Sequence, residues 1–198
     1  MIQRQYKSYE EYKEHQTEKT KMDSEFKTAL NEWEWRKDDF LKAFKILDGI
    51  LNLKESNALC LGARYGCEVD TLRYLGCDAL GVDLVPRLPL VVGGDFHNLD
   101  FKDESYDLVY SNALDHVYDM KKFLGEASRV LKHNGILFLE LPVGQRCEGV
   151  GVYECIGIES VSDIIKLLPE FIEIKRERAI PRDGLNVAIV LKKGRNIT

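Results

Sequence analysis

Two glycines and one aspartate stand at a spacing that predicts a ligand-binding turn. The apolar residues 58–61 lead into Gly62 and Gly66, and a second apolar run ends near Asp83, seventeen residues after Gly66. Glycines let the backbone approach a ligand closely, and the helix that follows offers free N–H groups. A carboxylate at the tip of the second strand can accept both hydroxyls of a ribose. The pattern therefore predicts half of a nucleotide-binding βαβ unit and an adenosine-containing ligand.

The spacing of the glycines distinguishes between classes of nucleotide ligand. A dinucleotide site needs G-x-G-x-x-G, so that a pyrophosphate can lie at the helix N-terminus. Here Arg64 fills the middle position, and Glu68 follows in the first helical turn, where its carboxylate would repel a pyrophosphate. The Gly-Lys-Ser/Thr run of a P-loop does not occur in the sequence. The pattern favours a cofactor without phosphates, and a nicotinamide-dependent oxidoreductase is a distant alternative.

The composition indicates one globular domain in a reducing compartment. The chain has 198 residues, of which 44% are hydrophobic, and a formal net charge of -5, which argues against non-specific nucleic-acid binding. Its five cysteines are scattered without a C-x-x-C or Cys/His cluster, so neither a disulfide framework nor a metal site is expected. No apolar run is long enough to span a membrane and no signal peptide is recognised, so the expected location is cytoplasmic.

Apolar runs and helical patterns alternate from residue 58 onward. Strands are predicted at 58–61, 79–84, 90–92, 106–111, 135–141, 171–179 and 186–192, and helices at 68–75, 120–131 and 162–168. This alternation is typical of an α/β fold with a Rossmann-like, doubly wound, mostly parallel sheet and helices on both faces. The last two strands are predicted to form a C-terminal antiparallel hairpin across the turn signal at 181–184.

Residues 1–47 are predicted to form an N-terminal helical extension. Charges of both signs are dense there, and eight aromatic residues lie between positions 6 and 44. Helical spacing places one apolar stripe against the sheet, formed by Phe40, Leu41, Phe44 and Leu47. For the rest of residues 1–47 three interpretations stay open: a static solvated extension, a lid over the ligand, or an interface for another chain. The expected division is 1–47 for the extension and 48–198 for the Rossmann-like part, within one structural domain overall.

Three further segments follow the glycine turn in a fixed order. Residues 93–101 carry a polar and aromatic pair, 105–116 run from a strand into small polar residues, and 131–142 join a helix end, a glycine and a buried strand. Together with the glycine turn, this ordered set closely resembles the class I S-adenosylmethionine-dependent methyltransferases, especially the small ones with a single Rossmann-like domain. The resemblance covers residues 55–143 and, by topology, the last hairpin. It implies S-adenosylmethionine as the cofactor and S-adenosylhomocysteine as its product.

The resemblance implies which residues hold the two halves of the cofactor. The glycine turn would line the methionine half through its backbone, at Gly62, Ala63, Arg64 and Gly66. Asp83 would bind the ribose hydroxyls, and Leu84 would pack against the adenine. These positions lie at the carboxyl ends of strands, where ligands bind in open α/β sheets.

The resemblance also implies contacts from two later strand ends. Asp95 would accept a hydrogen bond from the adenine amino group, while Phe96 donates its backbone N–H to the ring. Ser111 and Asn112 would lie at the tip of the fourth strand, below the sulfonium.

The sequence departs from the family pattern at three points. Cys60 stands where the family often has an acid, so the cofactor ammonium must contact backbone carbonyls or another side chain. Arg64 replaces a glycine and is either a partner for the cofactor carboxylate or a solvent-pointing turn residue. Pro86 and Pro89 forbid a helix of ordinary length, so the adenine side is expected to be more open than in the family.

Candidates for catalysis follow the fourth strand, where the substrate would approach. His116 is a base or substrate contact, or else an ordered structural histidine, and Asp115 is the second candidate. The loop after the fifth strand offers Gln145, Arg146 and Glu154 as substrate contacts, or is simply a solvated loop. No functional role is predicted for the other histidines: His97 is expected to be a structural residue, and His15 and His133 are expected to lie on the surface.

The function predicted from these features is methyl transfer to a small polar metabolite, a sugar or a natural product. This leaning rests on the absence of a basic stripe for nucleic acid and of a second domain for a protein target. Two alternatives stay open: a non-catalytic partner subunit that binds S-adenosylmethionine, and a methyltransferase acting on protein or nucleic acid. The atom that receives the methyl group and the oligomeric state do not follow from the sequence.

Overall fold

Seven strands form the central sheet of the protein, in a computed structural model that describes residues 2–21, 27–28, 30–144, 152–180 and 184–194. The described strands are β1 (Ile2–Gln3), β2 (Asn57–Leu61), β3 (Asp78–Asp83), β4 (Val91–Gly93), β5 (Tyr106–Ser111), β6 (Leu131–Leu141), β7 (Ile156–Gly157), β8 (Phe171–Arg178) and β9 (Val187–Lys193). The order in the large sheet is β4-β3-β2-β5-β6-β9-β8. Neighbours from β4 to β6 are parallel, whereas β9 is antiparallel to both β6 and β8. Strands β1 and β7 form a separate antiparallel pair.

Helices cover both faces of this sheet. The described helices are α1 (Tyr9–Lys21), α2 (Trp33–Phe44), α3 (Cys67–Tyr74), α4 (Met120–Val130) and α5 (Val161–Ile165). Successive residues of a strand point to opposite faces, so β2 contributes to two apolar clusters. Ala58 and Cys60 pack in the cluster that contains residues of α2 and α3, and Leu59 and Leu61 in the one that contains α4. Both faces of the parallel strands are therefore buried, as their continuous apolar runs predict.

The predicted doubly wound sheet with an antiparallel C-terminal pair is confirmed. The bounds of β2, β3, β4 and β5 agree with the predicted ones to within one residue. Strand β6 starts at Leu131 instead of residue 135, because Leu131 already pairs with Tyr106. Helix α5 ends at Ile165 instead of residue 168. The turn predicted at 181–184 lies largely outside the described residues.

The apolar stripe of the N-terminal extension packs on the sheet, as predicted for most of its members. Phe40, Phe44 and Leu47 are buried, while Leu41 is half-buried and Ala43 is buried in addition. The ring of Phe44 lies edge-on to that of Tyr110 on the sheet, with centroids 5.1 Å apart. Helix α2 is thus part of the core.

Helix α1 contacts the carboxyl-terminal side of the sheet by a different means. Its sequence is polar, and its buried residues are Tyr12 and Thr20. Tyr9 and Tyr12 belong to an aromatic cluster with Tyr118 and His97, in which ring centroids lie 5.1–6.5 Å apart. The Tyr12 hydroxyl also donates to the backbone oxygen of His116 at 3.1 Å. Helix α1 is therefore held by aromatic contacts and hydrogen bonds and lacks the broad apolar stripe of α2.

Candidate active site

The turn after β2 has a backbone that requires glycine at its two ends. Gly62 and Gly66 have φ angles of 74° and 85°, in the left-handed region. A Cβ at Gly62 would lie 2.6 Å from the Cβ of Ala113, and one at Gly66 would lie 2.8 Å from the Cβ of Leu90. Arg64 keeps the left-handed conformation with φ 47°, although it is not a glycine. Arg64 therefore takes, without being a glycine, a backbone conformation that glycine adopts readily.

Asp83, at the end of β3, is attached to the same turn. Its Oδ2 accepts the backbone N–H of Arg64 at 2.9 Å, and its Oδ1 accepts that of Val85 at 3.1 Å. Burial raises the pKa of this carboxyl group, and the two backbone hydrogen bonds oppose the rise. Each carboxylate oxygen has a second acceptor site. Asp83 can therefore hold the glycine turn and accept ligand hydroxyls at the same time.

Two adjoining cavities lie beside the turn, and together they form one cleft. The small chamber has a volume of about 80 Å³, and the large chamber one of about 350 Å³. Both are lined by Lys19, Gly62, Arg64, Ala113 and His116. The small chamber is completed by Tyr12, Gln16, Thr20, Asp83, Leu84 and Phe96.

Helix α1 covers the side of the cleft that the two prolines were expected to leave open. Four of its residues, Tyr12, Gln16, Lys19 and Thr20, line the small chamber. Arg87, in the segment after β3, donates from its guanidinium to the backbone oxygen of Thr20 at 3.1 Å. Helix α1 therefore covers the small chamber next to the segment after β3, and the expected openness of the adenine side stays a prediction.

The large chamber combines aromatic rings with charges of both signs. Trp33, Phe40 and Tyr65 supply rings, and the guanidinium of Arg64 lies 4.7 Å from the centroid of the Tyr65 ring. The acidic, basic and histidine residues of its lining are Lys19, Arg36, Arg64, Glu68, Asp115, His116 and Glu154. Such a lining suits a small molecule with several polar groups.

The two catalytic candidates lie together in the wall of the large chamber. His116 Nδ1 is 3.0 Å from the backbone oxygen of Tyr153, which can only accept, so we assign the ring hydrogen to Nδ1. The lone pair of the neutral ring is then on Nε2, which lies 3.8 Å from Asp115 Oδ1. Burial raises the pKa of Asp115, and the carboxylate of Glu154 adds to the rise, while His116 lowers it. The imidazole can therefore accept a proton at Nε2 with a carboxylate beside it.

Two of the predicted cofactor contacts bind other parts of the chain. Asp95 Oδ2 accepts the Tyr9 hydroxyl at 2.6 Å, and Oδ1 accepts the backbone N–H of His97 at 2.9 Å. Burial alone would raise the pKa of Asp95, but hydrogen bonds from His97 and Tyr9 lower it to about 2. The Ser111 hydroxyl donates to the backbone oxygen of Leu61 at 2.9 Å. Neither side chain lines the two chambers, so a direct role of either toward a cofactor stays a prediction.

The remaining predicted residues divide between the chambers. Leu84 and Phe96 line the small chamber, and Ala63, Gly66 and Asn112 the large one. Glu154 lines the large chamber, whereas Gln145 and Arg146 lie outside the described residues.

Two histidines can be assigned from their contacts. His97 Nε2 accepts the backbone N–H of Asp119 at 3.1 Å, which agrees with its interpretation as a structural residue. His15 is half-buried, with Nδ1 2.9 Å from the Tyr6 hydroxyl and its ring stacked on Tyr153. The interpretation of His15 as a surface group is therefore wrong.

The α1 residues of the cleft were missed as individual site residues in the sequence. Their only signal is the density of aromatic residues, which indicates a cover but does not identify the face of the helix that meets the cleft. Within the described part of the chain, no helix is long and apolar enough to cross a membrane. The same residues contain no group of three or more His, Cys, Asp or Glu side chains that could hold a metal ion.

Comparison with known proteins finds a family model that matches the central part of the chain. Residues 59–139 match the family model described as a methyltransferase domain. A search of curated proteins finds no match. The matched residues run from β2 to β6 and include both ends of the glycine turn, Asp83 and the catalytic candidates.

Solved structures with the same fold cover almost the whole chain. A 1,6-didemethyltoxoflavin-N1-methyltransferase from Burkholderia thailandensis, with bound 1,6-didemethyltoxoflavin and S-adenosylhomocysteine, has a TM-score of 0.72 at 17% identity, over 98% of this chain and 94% of that one. An S-adenosylmethionine-dependent methyltransferase from Thermotoga maritima has a TM-score of 0.65 at 18% identity, over 89% and 98%. A chain from a complex between the Haloferax volcanii Trm112 methyltransferase activator and a methyltransferase has a TM-score of 0.65 at 15% identity, over 88% of this chain and 98% of that one. The fold predicted from the sequence is therefore confirmed.

Proposed function

We propose that this chain, which has the class I methyltransferase fold and carries a methyltransferase domain at residues 59–139, binds S-adenosylmethionine in the two-chambered cleft and methylates a small polar acceptor. The observation that carries the proposal is the attachment of Asp83 to the glycine turn through the Arg64 N–H, at 2.9 Å. It joins a ribose-binding carboxylate to a turn that a ligand can approach closely. Both features fit a nucleoside cofactor without phosphates.

The residues of the cleft fit the parts of this cofactor. Asp83 has acceptor sites left for the ribose hydroxyls, while Leu84 and Phe96 offer apolar contacts for the base. Gly62 and Gly66 leave room where a Cβ would meet Ala113 and Leu90. When bound, S-adenosylmethionine supplies an electrophilic methyl group on a sulfonium, so the protein has to align the acceptor and exclude water. Helix α1 covers the small chamber and serves the second task.

The wall of the large chamber supports a role for His116 in proton transfer. An acceptor hydroxyl or ammonium must lose a proton before its lone pair can be methylated. His116 Nε2 is the available acceptor for that proton, and the Asp115 carboxylate, 3.8 Å away, stabilises the imidazolium that results. The hydrogen bond from Nδ1 to the Tyr153 oxygen fixes the orientation of the ring. His116 therefore acts as general base, with the Tyr153 oxygen to orient its ring and Asp115 to stabilise its charged form.

The large chamber supports a small polar acceptor. Its volume of about 350 Å³ and its mixed charges suit a compact molecule with several hydrogen-bonding groups. The similarly folded Burkholderia thailandensis protein holds a small molecule, 1,6-didemethyltoxoflavin. A partner-bound role is the second candidate, since the Haloferax volcanii neighbour was solved with a methyltransferase activator.

Binding and turnover measurements test this function in two stages. Calorimetry is expected to give tighter binding of S-adenosylmethionine and S-adenosylhomocysteine than of NAD, and tighter binding of NAD would refute the cofactor assignment. Incubation with S-adenosylmethionine and a panel of small polar acceptors is then expected to release S-adenosylhomocysteine with at least one of them. Binding of the cofactor without product for any acceptor would favour the non-catalytic partner subunit.

A further inference from the structure

Two carboxylates that line the large chamber, those of Asp115 and Glu154, belong to segments that are bonded to each other. The backbone N–H of Cys155 donates to the backbone oxygen of Asp115 at 2.6 Å, and His116 Nδ1 donates to the Tyr153 oxygen at 3.0 Å. Burial raises the pKa of Asp115, and the nearby charge of Glu154 adds to that rise. The two carboxylates therefore form an acidic wall, in which the fold holds like charges beside a ligand cavity.

The protein itself supplies little to neutralise the acidic wall. Within the part of the chain that the structure describes, neither Asp115 nor Glu154 forms an ion pair with a lysine or an arginine, and their ion-pair contact is that of Asp115 with the His116 ring, at 3.8 Å. The Oε2 atom of Glu154 is shielded from solvent and has no hydrogen-bond partner among the same residues. A shielded carboxylate oxygen without a donor is costly, and a cationic ligand group with N–H donors removes that cost.

The basic residues of the same chamber are placed for other contacts. Arg36 Nε lies 3.0 Å from Glu32 Oε2. Arg64 belongs to the glycine turn, which is the cofactor side of the proposed site. Lys19 Nζ lies 5.6 Å from the centroid of the Tyr153 ring, and its charge makes only a small contribution to lowering the pKa of the acidic wall. The acceptor side of the chamber is therefore negative.

We propose that the methyl acceptor is a small amine, which binds in its protonated form with its ammonium on the acidic wall, and this inference rests on the proposed function. An ammonium has N–H donors and no acceptor, so it matches a pair of carboxylates. The rings of Trp33, Phe40 and Tyr65 line the same chamber. They offer apolar surface to a flat group on the amine, so the acceptor class is an arylalkylamine.

The acidic wall also brings the ammonium to the proposed base. Asp115 Oδ1 is 3.8 Å from His116 Nε2, so an ammonium held by Asp115 lies within reach of the imidazole lone pair. One N–H proton passes to Nε2, and the nitrogen recovers its lone pair. That lone pair forms the bond to the methyl carbon, while the electrons of the carbon–sulfur bond remain on sulfur. The products are a methylated ammonium and a neutral thioether, so atoms and charge balance.

Calorimetry with two matched small molecules tests the assignment. 2-Phenylethylamine is protonated at neutral pH, as lysine is, whereas 2-phenylethanol has the same ring and chain with a neutral hydroxyl. With S-adenosylhomocysteine bound, the amine should bind at least about tenfold more tightly than the alcohol. Glu154→Gln, which removes the charge at constant size, should weaken amine binding about ten- to a hundredfold and change alcohol binding by less than about twofold. Glu55→Gln, at an exposed position outside the cleft, is the matched control and should change neither constant.

The same measurements separate recognition of the ammonium from a structural role. If Glu154→Gln weakens the amine and the alcohol equally, Glu154 merely shapes the chamber, and the inference is overturned. Equal affinity of the unaltered protein for the two molecules, or binding of neither, overturns it as well.

Turnover then distinguishes this inference from the proposed function. With S-adenosylmethionine and a panel of amines and alcohols, we expect methylation at nitrogen, identified by mass spectrometry of the product. Release of S-adenosylhomocysteine with alcohols and with no amine would refute the amine assignment and leave the proposed function standing. Failure of the unaltered protein to bind S-adenosylhomocysteine would refute the proposed function itself.

Discussion

Replacing Asp83 should reduce cofactor affinity and fold stability by amounts that follow from its contacts. In Asp83→Ala the backbone N–H groups of Arg64 and Val85 both lose their acceptor. An unsatisfied buried donor costs about 1–3 kcal/mol, so the free energy of unfolding should fall by roughly 2–6 kcal/mol. Asp83→Asn keeps one oxygen and should lose about half as much. Asp83→Asn therefore serves as the second binding variant if Asp83→Ala does not stay folded.

The effect on binding is expected to be larger for Asp83 than for His116. Two hydroxyl hydrogen bonds to a carboxylate contribute roughly 1.5–3 kcal/mol each, so the dissociation constant of S-adenosylhomocysteine should rise about a hundredfold or more in Asp83→Ala. His116→Ala, which removes the proposed base but no ribose contact, should change it by less than about threefold.

Urea unfolding of each variant gives the loss of stability, and thermal unfolding gives the temperature below which the variant stays folded. Calorimetry with S-adenosylhomocysteine at that temperature then gives the constants. An unchanged dissociation constant in a folded Asp83 variant would show that the ribose binds elsewhere, and the assignment of the cleft would have to be abandoned.

Two further predictions concern α1. Tyr9→Phe removes the hydroxyl that donates to Asp95 Oδ2, so the pKa of Asp95 should rise from about 2 toward its ordinary value, as followed by NMR titration. A depressed pKa of Asp95 stabilises the fold at pH values above the ordinary pKa near 3.9, and this contribution is lost as the pH falls toward 2. The variant should therefore be less stable than the unaltered protein by about 1–3 kcal/mol at pH 7, with a smaller difference in acid. An unchanged pKa of Asp95 in the variant would contradict the contact. Hydrogen exchange in residues 9–21 should slow when S-adenosylhomocysteine binds, while exchange around Phe44 stays constant, and equal exchange in both states would identify α1 as a static extension.

The sheet and its turn could be predicted because local sequence determines them. Buried parallel strands read as short apolar runs, and β2 to β5 were located to within a residue on that basis. The left-handed φ angles of Gly62 and Gly66 restrict those positions to glycine, which the sequence displays directly. The carboxyl ends of parallel strands lie at one edge of the sheet, so the position of Asp83 beside the glycine turn could be predicted as well.

The roof of the cleft could not be predicted residue by residue. Tyr9 reaches Asp95 across 86 positions of the chain, and Gln16 reaches the backbone of Tyr153 across 137. A polar helix has no apolar stripe that fixes which side faces inward, so the sequence indicates a cover without naming its lining. Asp95 illustrates the same limit, because the sequence shows a free carboxylate at a strand end and only the fold brings Tyr9 to it.

The short pairing of β1 with β7 helps to link α1, which covers the small chamber, to the segment that carries Glu154 in the wall of the large chamber. The backbone N–H of Arg4 continues this ribbon by donating to the Cys155 oxygen at 2.8 Å, and the Gln16 amide donates to the Tyr153 oxygen at 2.8 Å. The roof of the small chamber and the wall of the large one are therefore fastened to each other. A displacement of α1 that lets the cofactor leave must break these bonds or carry residues 152–157 along. In the second case the same movement opens both chambers, so that a ligand in either one can leave in a single opening event.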